Sequence, residues 1–433
     1  MGNLSVFKAA VIALFVVAAI GGLVFLSLFR GGSGAAEVGA VEVWGLVDEQ
    51  IMTEVFDRLG QTTESYDDVT YRQLDVATYE TELVNALASG RGPDLFILPH
   101  EALLAQQDRI IPIPYENYSE RQFQDTFAQV GEVFLFPEGV KGFPFSVDPL
   151  VMYWNRDILQ TAGLAKPPKL WSELLEYAPQ ITRRDAANNI TRSFVALGET
   201  QNIAHAKPIL SSMLMQQGNP IVARNQNGQL TSLLGDRLGL STPPAQAVLR
   251  YYTEFSNPIK ATYTWNRSLP EARQEFIAGD VALYFGFASE LSEIRRQNPN
   301  LNFDVAPLPQ ANADGTKVAY GRTSGLVIMR GSDNASGAYL TALALSGGEA
   351  QSILRDLSVL PPVRRDLLAS RPSDAFRSIF YDSALMARAW LDPDPQQTTS
   401  IFSEMVNTVT SGRARESEAV NTADARLRNL LPE

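Results

Sequence analysis

The feature that most constrains this chain is the order of its hydrophobic patterns after residue 40. Val41-Glu42-Val43-Trp44 alternates apolar and polar and runs into Gly45, the pattern of a strand ending in a turn. Ile51, Val55, Phe56 and Leu59 follow at helical spacing, with Gly60 as a stop. Val69-Thr70-Tyr71 reads as a second strand. Tyr79, Leu83, Ala86 and Leu87 read as a second helix closed by Gly90 and Gly92, and Leu95-Phe96-Ile97-Leu98 as a third strand opened by Pro93-Asp94. A strand–helix–strand–helix–strand order predicts a mostly parallel, doubly wound sheet covered by helices. Ligands of such sheets lie beyond the carboxyl ends of the strands, which points to Trp44 with its following turn and to Pro99-His100-Glu101.

A second α/β unit begins near Leu150. It carries a helix from Trp171 to Tyr177, a helix from Glu271 to Ala278, and the strand Val281-Ala282-Leu283-Tyr284-Phe285 ended by Gly286. Asn302-Phe303-Asp304-Val305 is strand-like and runs into Pro307-Leu308-Pro309. Residues 223–244, rich in Asn, Gly, Gln and Thr, read as a surface excursion. No repeat of 20–50 residues is present.

Composition excludes several functions. The 433 residues hold no cysteine, which removes disulfides, thiolate zinc, iron–sulfur clusters, a cysteine nucleophile and a lipidated cysteine. Two histidines, His100 and His205, cannot supply a multi-histidine metal site or relay, so neither metal nor cofactor is expected. The net charge of −12 argues against nucleic acid, whose phosphates need a basic face. Gly321-Arg322-Thr323-Ser324-Gly325 lacks the spacing of a nucleophile elbow, and no glycine-rich phosphate loop occurs. Asp392 and Asp394 pair in a proline-rich loop that is a poor calcium motif.

From Ala9 to Phe29 the chain has 21 residues without a charge, bracketed by Lys8 and Arg30. At about 1.5 Å per residue such a run spans roughly 30 Å, a bilayer core. It is expected to be an uncleaved transmembrane anchor, 9–29, since a cleaved signal's apolar region is usually shorter. Residues 30–40 then form a flexible linker. The two flanking charges nearly cancel and leave the orientation open.

Three stretches carry a specific likeness. The first is Val140-Lys141-Gly142-Phe143-Pro144-Phe145-Ser146-Val147-Asp148-Pro149, continuing through Tyr153-Trp154-Asn155-Arg156-Asp157, Ala162-Gly163-Leu164 and Trp171-Ser172-Glu173-Leu174. The second is Phe276-Ile277-Ala278-Gly279-Asp280-Val281-Ala282-Leu283. The third is Ala306-Pro307-Leu308-Pro309, followed by Gly321 to Gly325 and Asn334-Ala335. Across residues 41–430 the chain resembles the family 1 extracellular solute-binding proteins of ABC transporters, the maltodextrin- and sugar-binding group. It departs from that pattern in three ways: it lacks the lipidated cysteine, Trp154 stands for the usual tyrosine, and Phe287 stands where a tryptophan is frequent.

The resemblance implies a two-lobed, type II periplasmic-binding-protein-like α/β fold with a hinge between the lobes. Lobe one would be 41–148 plus about 325–368, and lobe two about 150–322 plus 371–433. The chain would cross near Ser146–Pro149, Gly321–Gly325 and Val363–Ser370. It also implies a membrane-tethered extracytoplasmic subunit of an ABC importer. That subunit would capture a sugar or oligosaccharide in the interlobe cleft, pass it to permease subunits and do no bond chemistry. Rival readings are a non-sugar solute, a sensor that reports to a signalling partner, and a tethered carbohydrate-active enzyme.

Candidate ligand contacts are Trp44, His100, Asp148, Trp265, Phe287 and Arg322. Asp148 lies in a crossover and either bonds ligand hydroxyls or serves the hinge. Trp44 and Trp265 either face the cleft or pack a core. Phe287 would sit in a strand-end loop. Arg322 would fork onto hydroxyls or a carboxylate, or form a salt bridge. Trp154 and Trp171 read as core residues, and Trp390 as a loop anchor.

Overall fold

A computed structural model describes residues 38–61 and 66–432. The expected anchor at 9–29 and most of the expected linker lie outside the described residues. Of that linker, Val38 to Ala40 are described, and they are packed rather than loose. Val38 is buried, and the Asn334 side-chain amide donates to the carbonyls of Val38 and Ala40. Among the described residues no helix is long and apolar enough to cross a membrane.

The first strands form as the alternation predicts. Val41–Gly45 lies between Val69–Gln73 and Leu95–Pro99, parallel to both. The helix Glu49–Gly60 starts on Asp48, whose carboxylate accepts from the amides of Gln50 and Ile51, and it buries Met52, Val55 and Leu59. The helix Tyr79–Ala88 buries Leu83.

One ten-stranded sheet runs through the molecule. From Leu95–Pro99 it continues antiparallel into Ala319–Ile328, and from there antiparallel into Phe143–Asn155. Phe143–Asn155 is 13 residues long and has two sets of partners. Its first half pairs with Ala319–Ile328, with Asp148 opposite Arg322 and Ser146 opposite Ser324. Its second half pairs with Val281–Phe287 and Phe303–Pro307. Val281–Phe287 then pairs parallel with Ile190–Val195.

Two separate hydrophobic cores are strung along this sheet. One holds Val41 to Val147 and Leu326 to Leu368. The other begins at Leu150 and includes Tyr320, Trp390 and the helices Pro395–Thr410 and Glu416–Leu430. The chain changes cores within two paired strands, between Val147 and Leu150 and between Tyr320 and Leu326. A third passage runs along the helix Ala375–Met386, which gives Phe380 to the second core and Tyr381 and Ala384 to the first. It falls a few residues beyond the stretch expected for it.

Two local expectations change. Gly286 does not end its strand, which continues to Phe287. A Cβ at Gly286 would lie 2.5 Å from the Tyr284 ring, so this glycine permits a close approach within the strand. The 223–244 stretch is not all excursion: Val222–Arg224 and Leu230–Ser232 form an antiparallel hairpin.

Candidate functional site

The two paired strands that change cores open onto a cleft of 710 Å³. Lobe one lines it with the turn Leu46-Val47 beyond the first strand, with Pro99 and Glu101 beyond the third, and with Val76, Tyr79 and Glu80. The paired strands contribute Ser146, Asp148 and Arg322 to Ser324, and lobe two contributes Pro393 to Gln396. The turns to which the carboxyl-end rule points thus line this cleft, while Trp44 itself points elsewhere.

Asp148 accepts hydrogen bonds from the Ser289 amide at 3.0 Å and the Ser289 hydroxyl at 2.6 Å. Burial pushes its carboxyl up to about 6, outweighing the two Ser289 bonds and the nearby Arg322 charge. The turn that carries Ser289 is pinned by the neighbouring Glu290. That carboxylate accepts from the Phe287 amide at 2.8 Å and the Tyr284 hydroxyl at 2.7 Å, and lies 2.7 Å from His205 Nε2.

Arg322 is 46% exposed in its side chain, and its Nε stands 3.8 Å from Glu101. Its guanidinium lies 3.9 Å over the centroid of the Phe287 ring. Phe287 is not in a loop. It is the last residue of its strand and fully buried, with one face covered by Arg322 and its edge packed against His205 and Tyr320. It supports Arg322 and does not present a free face.

His100 is 1% exposed and sits behind the wall rather than in it. Its Nδ1 lies 3.2 Å from the Thr323 carbonyl and 3.3 Å from the Thr323 amide, and its Nε2 lies 3.2 Å from the Tyr320 hydroxyl. That hydroxyl donates to Glu101 at 3.3 Å. A proton on Nδ1 serves the Thr323 carbonyl and one on Nε2 serves the Tyr320 hydroxyl, and burial lowers the His100 pKa in the direction that keeps the ring neutral with one of the two. His100 thus positions Glu101.

Lobe two's share of the wall is fastened from behind. Lys207 Nζ bonds Asp392 at 2.7 Å, the Thr398 hydroxyl at 3.0 Å and the Pro395 carbonyl at 3.2 Å. Asp394 caps the helix Pro395–Thr410, accepting from the amides of Gln396 at 3.0 Å and Gln397 at 2.9 Å. Asp followed by Pro is the sequence of a helix start, so this carboxylate pair is structural. Among the described residues no group of side chains could hold a metal ion.

Four of the six candidates converge here: Asp148 and Arg322 in the wall, His100 and Phe287 behind it. Two do not. Trp44 is 3% exposed in the first core, its Nε1 bonded to Glu42 at 2.7 Å and its ring covered by Arg72 at 4.5 Å. Trp265 is fully buried in the second core with its Nε1 donating to Asn202 at 3.1 Å. A large aromatic lowers its free energy more by burial than by standing in water, and each indole N–H has a hydrogen-bond partner, Asn202 in the core for Trp265 and the exposed Glu42 for Trp44. Tyr79, Ser146 and Ser289 were not singled out as contacts from sequence, and Glu101 was named only as part of a strand-end turn. Glu101 was signalled by its place just after a strand end, whereas Ser289 and Ser146 carry no such signal.

Two independently packed α/β cores, joined through paired strands with a polar cleft at the joint, define a two-lobed binding protein. The family model for bacterial extracellular solute-binding proteins matches residues 55–375, and the chain belongs to that family. Membership places the binding domain on the extracytoplasmic side. A provisionally named binding protein of Brucella abortus is 24% identical over 258 residues, 58% of each chain. The sn-glycerol-3-phosphate-binding periplasmic protein UgpB of Agrobacterium fabrum is 26% identical over 184 residues, 41% of this chain and 38% of that one. The chain therefore spans less than two thirds of either relative's length. Among solved structures, a cyclo/maltodextrin-binding protein with maltotetraose superposes with a TM-score of 0.71 at 16% identity, covering 92% of this chain and 98% of its own. The sugar-binding protein MalE of Xanthomonas citri gives 0.70 at 21% identity, covering 90% and 97%. These likenesses establish the two-lobed fold.

Proposed function

We propose that the chain is the membrane-tethered solute-binding subunit of an ABC importer and captures a carbohydrate in the interlobe cleft by hinge closure. The observation that carries the reading is the cleft itself, 710 Å³ at the point where both paired strands change cores. Its polar groups suit a ring of hydroxyls: the carboxylates of Asp148 and Glu101, the Arg322 guanidinium, the hydroxyls of Ser146 and Ser324, and the Gln396 amide. The solved structures of like fold, one in complex with maltotetraose and one a sugar-binding MalE, support a sugar. The tether would be the uncharged run Ala9 to Phe29.

On this reading solute meets one wall in the open form, and the wall from Pro393 to Gln396 engages it only on closing. Binding therefore shifts the population toward the closed form. The closed form docks on permease subunits, and no bond is made or broken. The test is to titrate the protein with mono- and oligosaccharides while recording tryptophan fluorescence and small-angle scattering. A saturable signal with a decrease in radius of gyration is expected. A response to peptides or polyamines with none to any sugar would refute the carbohydrate assignment, and superimposable scattering with a bound sugar would refute closure.

A further inference from the structure

We infer that the cleft is built to refuse anions, so that its solute is neutral or carries an amine and has no phosphate or carboxylate group. The inference rests on the cleft being the solute site. Its lining holds four carboxylates, Glu80, Glu101, Asp148 and Asp394, against one cation, Arg322.

Each device that could receive a phosphate has one of these acids beside it. The Arg322 guanidinium stands beside Glu101 and flat on the Phe287 ring. The helix Pro395–Thr410 begins at the cleft, and helix N-termini attract anions through their free amides and dipole. Here those amides donate to Asp394. The helix Tyr79–Ala88 also begins at the cleft and carries Glu80 in its first turn. A phosphate entering this space would meet four carboxylates against the single Arg322 cation, a net of three negative charges in the lining. The same carboxylates accept bonds from hydroxyl or ammonium groups without penalty. A cleft with low-dielectric walls focuses such a field and changes local ion concentrations by about 10- to 1,000-fold.

The absence of cysteine makes a direct test possible. Ala105 is an exposed residue of the cleft wall, so Ala105→Cys introduces a single thiol there. Ala165→Cys, exposed on the second lobe, is the reference. Each variant is reacted with a cationic trimethylammonium and an anionic sulfonate methanethiosulfonate. The ratio of cationic to anionic rate is expected to be at least about tenfold higher at the cleft thiol than at the reference. Adding Glu80→Gln should reduce the excess. Equal or reversed ratios would overturn the inference.

In parallel, thermal stability is followed with glucose, glucosamine, glucose 6-phosphate and sn-glycerol-3-phosphate. A phosphate ester that stabilises the protein more than glucose or glucosamine also overturns it. If the thiol ratio is high and no compound binds, the cleft's exclusion of anions stands and the sugar reading is what fails.

Discussion

Replacing Asp148 by asparagine should flatten one pH dependence and leave the rest of the fold intact. In the folded protein the Asp148 carboxyl is raised from 3.8 to about 6, chiefly by burial. A carboxyl with a higher pKa folded than unfolded binds more protons in the folded state between those two values. Stability therefore falls as pH rises from about 4 to about 6 and is flat above. At about 1.4 kcal/mol per pKa unit the full effect is roughly 3 kcal/mol. Since the side chain is partly exposed, solvent screening reduces the expectation to about 2 kcal/mol. Asparagine keeps the local bonds, because its carbonyl can accept from the Ser289 amide and its amide can donate to the Ser289 hydroxyl. The assay is urea unfolding of both proteins at half-unit steps from pH 4 to pH 8. The variant should match the parent near pH 4 and exceed it by about 2 kcal/mol above pH 7. A stability difference that does not change with pH, or a variant weaker than the parent at pH 8, would refute the account.

Other substitutions test the parts that hold the cleft. Lys207→Met leaves the Asp392 carboxylate buried at 3% exposure without its cation, which should cost about 3–5 kcal/mol in denaturant unfolding. Gly325→Ala puts a Cβ 2.5 Å from the buried Phe134 ring. It should destabilise the first lobe by about 1–3 kcal/mol, and Phe134→Leu in the same chain should recover part of the loss. Trp265→Phe strips Asn202 of its indole donor. It should cost about 1–3 kcal/mol of stability while leaving the affinity of whatever solute binds unchanged in calorimetry, because Trp265 lies in the core.

The first lobe was legible because its strands and helices each bury one face. In Glu49–Gly60 the spacing of Val55 and Leu59 marks the buried stripe, and Gly60 marks the stop. The parallel order of the three strands follows from the connecting helices. What sequence could not give was direction at the strand ends. A tryptophan closing a strand reads the same whether it faces a cleft or a helix, and Trp44 proved to face Arg72. Gly286 resembled a stop because a strand glycine and a terminal glycine look alike. Only the Tyr284 ring packed beside it distinguishes them. Asp148 and Arg322 were found from separate crossovers, but their pairing across two antiparallel strands is a long-range register that periodicity does not carry. Asp394 was seen as half of a carboxylate pair, and its use as a helix cap emerges only with the helix behind it.

The joint has a consequence for the energetics of the proposed closure. Two of the three crossings are not free loops but a registered strand pair, with Arg322 opposite Asp148 and a register shift between Ser324 and Gly325. Bulges concentrate twist, so that shift is the natural place for the pair to bend without losing its other hydrogen bonds. On the proposed closure Asp148 and Arg322 would therefore sit close to the axis of motion. A solute bound to them alone touches much the same atoms in the open and closed forms and shifts the balance little. Turning a population of 1:99 into 99:1 needs about 5.5 kcal/mol of preference for the closed form. On the proposed mechanism that preference has to come from groups away from the axis, and in the lining these are the lobe-one turns and, across from them, Pro393 to Gln396. The Lys207–Asp392–Thr398 cluster that fixes this segment lies outside the cleft lining, yet it sets how rigidly the far wall meets the solute. The specificity of capture would then be written on the hinge strands, and the drive to close on a loop some seventy residues farther along the chain.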